Sequence, residues 1–291
     1  MSPLPASTSN DRSNEDDDDG QWIHVARKSN RRRPRRQPPL AAVDSRPAGA
    51  SRCVSSIAAE YRSLRASFET TSCCARLRAL VSERIVQSAP DITQAVCLGI
   101  GTFDPPDGGW EARKRTHTQL AAFLVLVEEL GKLRPRHGGC THPDGFVEAI
   151  SGDEIRCIFQ EPIFTPSDVA FIASLGHRVV ADPLACELVD PQTLLYGIHL
   201  YRPIYARSLR KFMPAIFVGT GWDVWDGVSL HDDDANADLS RLRTMEREYQ
   251  KASFPRDTGG TAFSSTSVYW RQSSESKGAD RAHRKGGGGA S

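Results

Sequence analysis

Residues 95–101, Ala-Val-Cys-Leu-Gly-Ile-Gly, constrain this chain more than any other stretch. An apolar run this short, rich in Val and Ile and closed by glycines, reads as a buried strand rather than a helix. The chain then enters a loop, Thr102-Phe103-Asp104-Pro105-Pro106. It continues as an amphipathic helix from Lys114 through Gln119, Leu120 and Phe123 to Leu130 and Gly131. A buried strand, a glycine turn and a returning helix open an α/β unit.

The same alternation repeats downstream. Strands are expected at Ile155–Phe159, His177–Ala181, Thr193–Ile198 and Ala215–Val218. Between them, Thr165 is placed to cap a helix that starts at Pro166 and stops at Gly176, and Pro203–Phe212 forms another. Continuous apolar strands alternating with helices imply a mostly parallel sheet covered on both faces. The expected fold is therefore one doubly wound, Rossmann-like α/β domain. Ahead of it, Val54–Ser88 shows apolar residues at helical spacing and reads as two helices. Behind it, a polar helix is expected over 237–251, and Phe263–Trp270 is β-prone and suits an edge strand.

The ends differ in character. Residues 1–50 carry an acidic block, Glu15–Asp19, then the basic run Arg27, Lys28, Arg31–Arg33, Arg35 and Arg36, with too little apolar surface to fold alone. This arm reads as a solvated tail, a nuclear-import signal or an anion-binding arm. Nucleic-acid binding ranks last, because the folded part carries no comparable basic face. The tail 272–291 is also expected to be disordered, leaving residues 51–271 as the domain and 90–225 as its core. A formal net charge of +1 gives no case for a nucleic-acid or membrane-surface protein, and no apolar run approaches a membrane span. Seven scattered cysteines fit a reduced, soluble, intracellular protein better than a disulfide framework. His137, Cys140 and His142 match no common zinc spacing, so no metal is assigned.

In an open parallel sheet, ligands bind beyond the carboxyl ends of the strands, where the strand order reverses. The candidates there are Gly99, Gly101, Thr102 and Asp104, then Glu161, His199, and Thr220, Trp222 and Asp223. Glycines admit close backbone approach, an acid after the second strand is placed for ribose hydroxyls, and a histidine titrates near neutrality. Each has a plainer reading. Gly-Ile-Gly lacks the third glycine of a dinucleotide fingerprint, Glu161 can cap a helix, and a lone histidine is more often a bonded core residue. No nucleophile–base pair is identifiable, so no catalytic residue is assigned.

Taken in order, several motifs resemble the sensitivity-to-red-light-reduced (SRR-like) domain family. They are Gly99-Ile100-Gly101, Gln119-Leu120-Ala121, Glu161-Pro162-Ile163-Phe164, Leu175-Gly176, Thr193-Leu194 leading to His199 and Tyr205, and Ile216–Gly219. The Trp22–Val25 spot followed by arginines is similar to a signature many members carry ahead of the domain. The form Tyr196–Arg202 with Val218–Asp223 is similar to fungal members. Members commonly have Asp-Pro at Glu161-Pro162, Met-Pro-His-Cys at Gly197–Leu200 and Asn-Ser at Thr220-Gly221. The resemblance implies a regulatory, non-catalytic protein of the light-signalling and circadian-clock kind, in cytoplasm and nucleus, acting through protein partners. A small ligand in the strand-end cleft is compatible with it. The alternative reading is a methyltransferase-like transferase, for which S-adenosylmethionine or a nucleotide is the first cofactor to test.

Overall fold

The computed structural model of the chain describes residues 51–87, 91–132, 154–226, 239–257 and 260–272. The charged arm, the tail, the acidic stretch Asp232–Asp234 and the His137, Cys140 and His142 segment lie outside these residues.

The described chain begins with helices α1 (Val54–Glu69) and α2 (Ser72–Leu80), and α2 runs on into a π-helical turn, Val81–Ile85. Then come β1 (Gln94–Leu98), α3 (Trp110–Gly131), β2 (Arg156–Gln160), α4 (Pro166–Ser174), β3 (Arg178–Val179) and the single turn α5 (Leu184–Glu187). They are followed by β4 (Thr193–Gly197), α6 (Arg202–Ser208), β5 (Ile216–Thr220), α7 (Trp222–Asp226), α8 (Ser240–Glu248), β6 (Gln250–Ser253) and β7 (Thr266–Trp270).

The seven strands form one sheet in the order β3-β2-β1-β4-β5-β7-β6. The first five are parallel neighbours, as expected from their unbroken apolar runs, while β7 is antiparallel to both β5 and β6. Order reverses at β1: the chain winds outward through β2 and β3, then crosses back to place β4 on the other side. This reversal, between β1 and β4, is the switch point of a doubly wound sheet.

Strand residues alternate between two cores with a period of two. Ala95, Cys97, Leu194, Tyr196, Ile216 and Val218 face α1–α4. Val96, Leu98, Leu195, Phe217 and Tyr269 face α5, α6 and α8. Because both faces are covered, β1, β4, β5 and β7 are buried at every position.

Two expectations at the carboxyl-terminal end need correction. Phe263–Trp270 suited an edge strand, but its strand, β7, lies inside the sheet and β6 takes the edge. The polar helix expected over 237–251 ends at Glu248, and Gln250–Ser253 pairs with β7 instead. Two exposed and two half-exposed residues, one a lysine, make a poor helix end but an acceptable short edge strand, and pairing with β7 decides between them. Helix α3 also starts earlier than expected, at Trp110 rather than Lys114.

Candidate functional site

Each parallel strand ends in a loop on the same edge of the sheet. The β1 loop turns through two glycines in the left-handed region, Gly99 (φ 64°) and Gly101 (φ 87°), a conformation that costs a side chain about 1–2 kcal/mol. Glu161, at the end of β2, reaches across to this loop. One carboxylate oxygen accepts from the Gly101 backbone N–H at 2.7 Å, and the other from the Ile163 N–H at 3.2 Å.

Below that bridge lies Asp168, fully buried in the first turn of α4. Its Oδ2 accepts from Thr102 Oγ1 at 2.6 Å and from the Thr165 N–H at 2.8 Å, and its Oδ1 accepts from the Phe103 N–H at 3.2 Å. Thr165 Oγ1 in return accepts from the Asp168 N–H, which completes a capping box with Pro166 at the first helical position. One aspartate therefore caps its own helix and pins the loop of another strand. Asp104, next along, holds the entry to α1: its Oδ2 accepts from the Arg52 N–H at 2.7 Å and from Ser51 Oγ at 3.1 Å.

The β4 loop is organised by Leu200. A Cβ built on Gly99 would overlap Leu200 Cδ2, and one built on Gly197 would overlap its Cδ1. The buried Leu200 side chain thus lies over both glycines, across the switch point. His199, just before it, has φ 56°, is exposed, and places Nε2 2.8 Å from the Ser264 carbonyl oxygen ahead of β7.

At the end of β5, buried Tyr205 donates to the Gly197 carbonyl at 2.6 Å, and its oxygen accepts from the Thr220 N–H at 2.9 Å. Burial raises its pKa, so the phenol stays neutral. The Trp222 N–H donates to Tyr269 Oη, which bonds to Glu246; Lys251 Nζ bridges Glu246 to Asp223 at 2.7 Å. Burial opposes the Lys251 charge, but those two carboxylates outweigh it and raise its pKa.

The nine sequence-chosen residues thus fall into three groups. Gly101, Thr102, Asp104 and Glu161 meet at the β1 and β2 ends. Gly99 and His199 flank Leu200. Thr220, Trp222 and Asp223 gather around Tyr205, Tyr269 and Lys251. None of the nine lines the cavities of about 610 and 710 Å3 found elsewhere on the molecule. Among the described residues no group of three or more His, Cys, Asp or Glu side chains is placed to hold a metal ion, and no helix is long and apolar enough to cross a membrane.

Sequence reasoning passed over a polar cluster under the β1 loop. Glu60 of α1 pairs with Arg52, with Arg113 Nε at 3.4 Å and with His117 Nε2 at 3.6 Å. His117 is fully buried, with ring centroids of Phe103 at 4.9 Å, Tyr61 at 6.1 Å and Phe171 at 6.4 Å. Burial pulls its pKa down to about 4, against the upward pull of Glu60. The signal was in the sequence: Arg113, Thr116, His117 and Gln119 put polar groups on a helix that is buried nearly all round.

No curated protein matches the chain. Among solved structures, the cofactor-bound crystal structure of Rv0187 from MTB matches at 11% identity and a TM-score of 0.37, covering 75% of this chain and 91% of that one. The plantazolicin methyltransferase BpumL in complex with SAH matches at 8% identity and a TM-score of 0.28, covering 75% and 90%. The SRR1 domain matches over residues 66–270, from the last turn of α1 to the end of β7, and the chain belongs to the SRR1 domain family.

Proposed function

We propose that this SRR1-domain protein is a regulator that works by binding protein partners, with a small molecule as its switch, rather than by catalysis. The light-signalling and clock-input role implied by the family resemblance, in cytoplasm and nucleus, belongs to the same proposal. One observation supports the non-catalytic reading above the others: Leu200 fills the switch-point crevice where a doubly wound sheet would take its cofactor. The polar groups around it are occupied with backbone partners, Glu161 with Gly101 and Ile163, and Tyr205 with Gly197 and Thr220.

A second reading, a methyltransferase-like transferase, is favoured by the position of Glu161. It stands at the end of β2 beside a left-handed glycine, where nucleotide-binding sheets hold ribose hydroxyls. Each of its oxygens accepts one backbone N–H and keeps a second acceptor direction free.

A thermal-shift screen of the full chain with S-adenosylmethionine, nicotinamide dinucleotides and nucleoside triphosphates at millimolar concentration separates the two. The regulatory reading expects no shift that depends on Glu161. A shift of several degrees that Glu161→Ala abolishes would overturn it. Failure of affinity capture to return any reproducible protein partner would also count against it.

A further inference from the structure

The larger opportunity for a ligand lies away from the crevice. The second half of α1, the first turns of α3, and residues 256–257 and 260–263 between β6 and β7 line a cavity of about 610 Å3, a size usual for small-molecule sites. Its apolar side is formed by Leu64, Phe68, Ala262 and Phe263. The Phe68 and Phe263 ring centroids are 6.3 Å apart, and Phe263 stacks on Phe254 at 4.6 Å.

The walls are held in place independently of any ligand. Gln119 Nε2 donates to the Ala262 carbonyl at 2.9 Å. At the other end Asp257 Oδ1 accepts from the Cys73 N–H at 2.8 Å and from Ser72 Oγ at 3.0 Å, while Arg76 bonds the Arg256 carbonyl.

Elsewhere on this face Arg52 and Arg113 pair with Glu60, Arg65 with Glu69 and Glu128, and Arg78 and Lys132 with Glu129, whereas Arg62 of α1 has no acidic partner among the described residues. At the cavity, the exposed Lys114, Arg115 and Arg256 have side chains with no hydrogen bond or ion pair to any described residue. The acids on the lining are Glu111 and Asp257, and Asp257 is committed to the start of α2. Three unpaired cations beside a fixed aromatic strip match an anion with an apolar body.

We propose that this cavity binds a small organic anion, a carboxylate or phosphate monoester on a planar apolar group. Lys114, Arg115 and Arg256 take the charged head, and the apolar side formed by Leu64, Ala262 and the exposed edges of Phe68 and Phe263 takes the body. The site rests on the small-molecule switch proposed above and supplies its location and ligand class. It makes no use of the switch-point crevice.

Isothermal titration of the full chain with phenyl phosphate, benzoate and inorganic phosphate at low ionic strength tests the assignment. Phenyl phosphate or benzoate should bind, and whichever binds more tightly identifies the head group. Inorganic phosphate should bind at least about tenfold more weakly, because it leaves the aromatic strip unused. The double variant Lys114→Ala/Arg115→Ala, both exposed, should weaken binding by about tenfold or more. Arg241→Ala, in the separate groove beside α6, should leave it unchanged. Absence of binding by both organic anions, equal binding of inorganic phosphate, or an unchanged affinity in the double variant would each overturn the site. Normal anion binding with no recoverable protein partner would instead count against the regulatory reading and leave the site standing.

Discussion

Removing the Asp168 carboxylate tests whether the strand-end loops are held by this one buried group. In Asp168→Ala, the buried Phe103 N–H and the partly buried Thr165 N–H lose their acceptor, and Thr102 Oγ1 loses its partner. A buried N–H left unsatisfied costs about 1–3 kcal/mol. The Thr102 hydroxyl can rotate and recover part of its loss. The sum is about 3–5 kcal/mol, a large share of the roughly 5–15 kcal/mol that keeps a domain folded. Equilibrium urea unfolding followed by circular dichroism reads this as a lower midpoint at unchanged slope. Thr102→Val, alone and combined with Asp168→Ala, completes a cycle whose coupling should be about 1 kcal/mol. A loss below about 1 kcal/mol in Asp168→Ala, or no coupling to Thr102, would refute the claim that this carboxylate ties α4 to the β1 loop.

Gly99→Ala should destabilise the domain through its left-handed φ and its overlap with Leu200. In a Leu200→Ala background the overlap part disappears, so the same substitution should cost about 1 kcal/mol less by denaturant unfolding. His117 should give stability a pH dependence. Its folded pKa of about 4 lies below the ordinary 6.5, so the unfolded chain binds the extra proton first. Stability is then full above about pH 6.5 and falls as pH drops toward 4, by at most about 3 kcal/mol. Of the groups facing it, Glu60 pulls that pKa up, while Arg52 and Arg113 push it down together with burial. His117→Phe, which fits the surrounding rings, should flatten the slope in that window.

Much of the architecture was legible because parallel strands buried on both faces leave an unmistakable apolar run, and β1, β2, β4 and β5 all have one. The capping box of α4 was legible for a different reason: Thr165, Pro166 and Asp168 do local chemistry that needs no tertiary information. Strand β6 was not legible, since Gln-Lys-Ala-Ser has neither apolar alternation nor β-branched residues and owes its conformation to β7. The same limit applies to the strand ends. The sequence places Gly101, Glu161 and Thr220 at equivalent tips, but nothing in it says that Glu161 will spend its oxygens on backbone. Nor does it say that His199 will turn left-handed and set Leu200 over β1. The unpaired cations of the α3 cavity were invisible for a converse reason: on a helix rich in charge, only the fold tells which cations find a carboxylate.

The glycines at 99 and 197 carry the argument about function further than their number suggests. In a nucleotide-binding sheet a strand-end glycine admits a phosphate; here the same absence of a side chain admits Leu200. For a cofactor to use that crevice, Leu200 must first swing out and expose its side chain, which is 7% accessible in place. Re-exposing a leucine costs about 1.5–3 kcal/mol, so a cofactor would lose roughly ten- to a hundredfold in affinity before making any contact of its own. A site that begins with that handicap suits a ligand only if opening is itself the signal. The α3 cavity asks for no such displacement, because its cations are exposed and its apolar lining is already open to the cavity. A molecule that regulates by occupancy alone is therefore better served by the cavity, and one that regulates by moving the β4 loop is better served by the crevice.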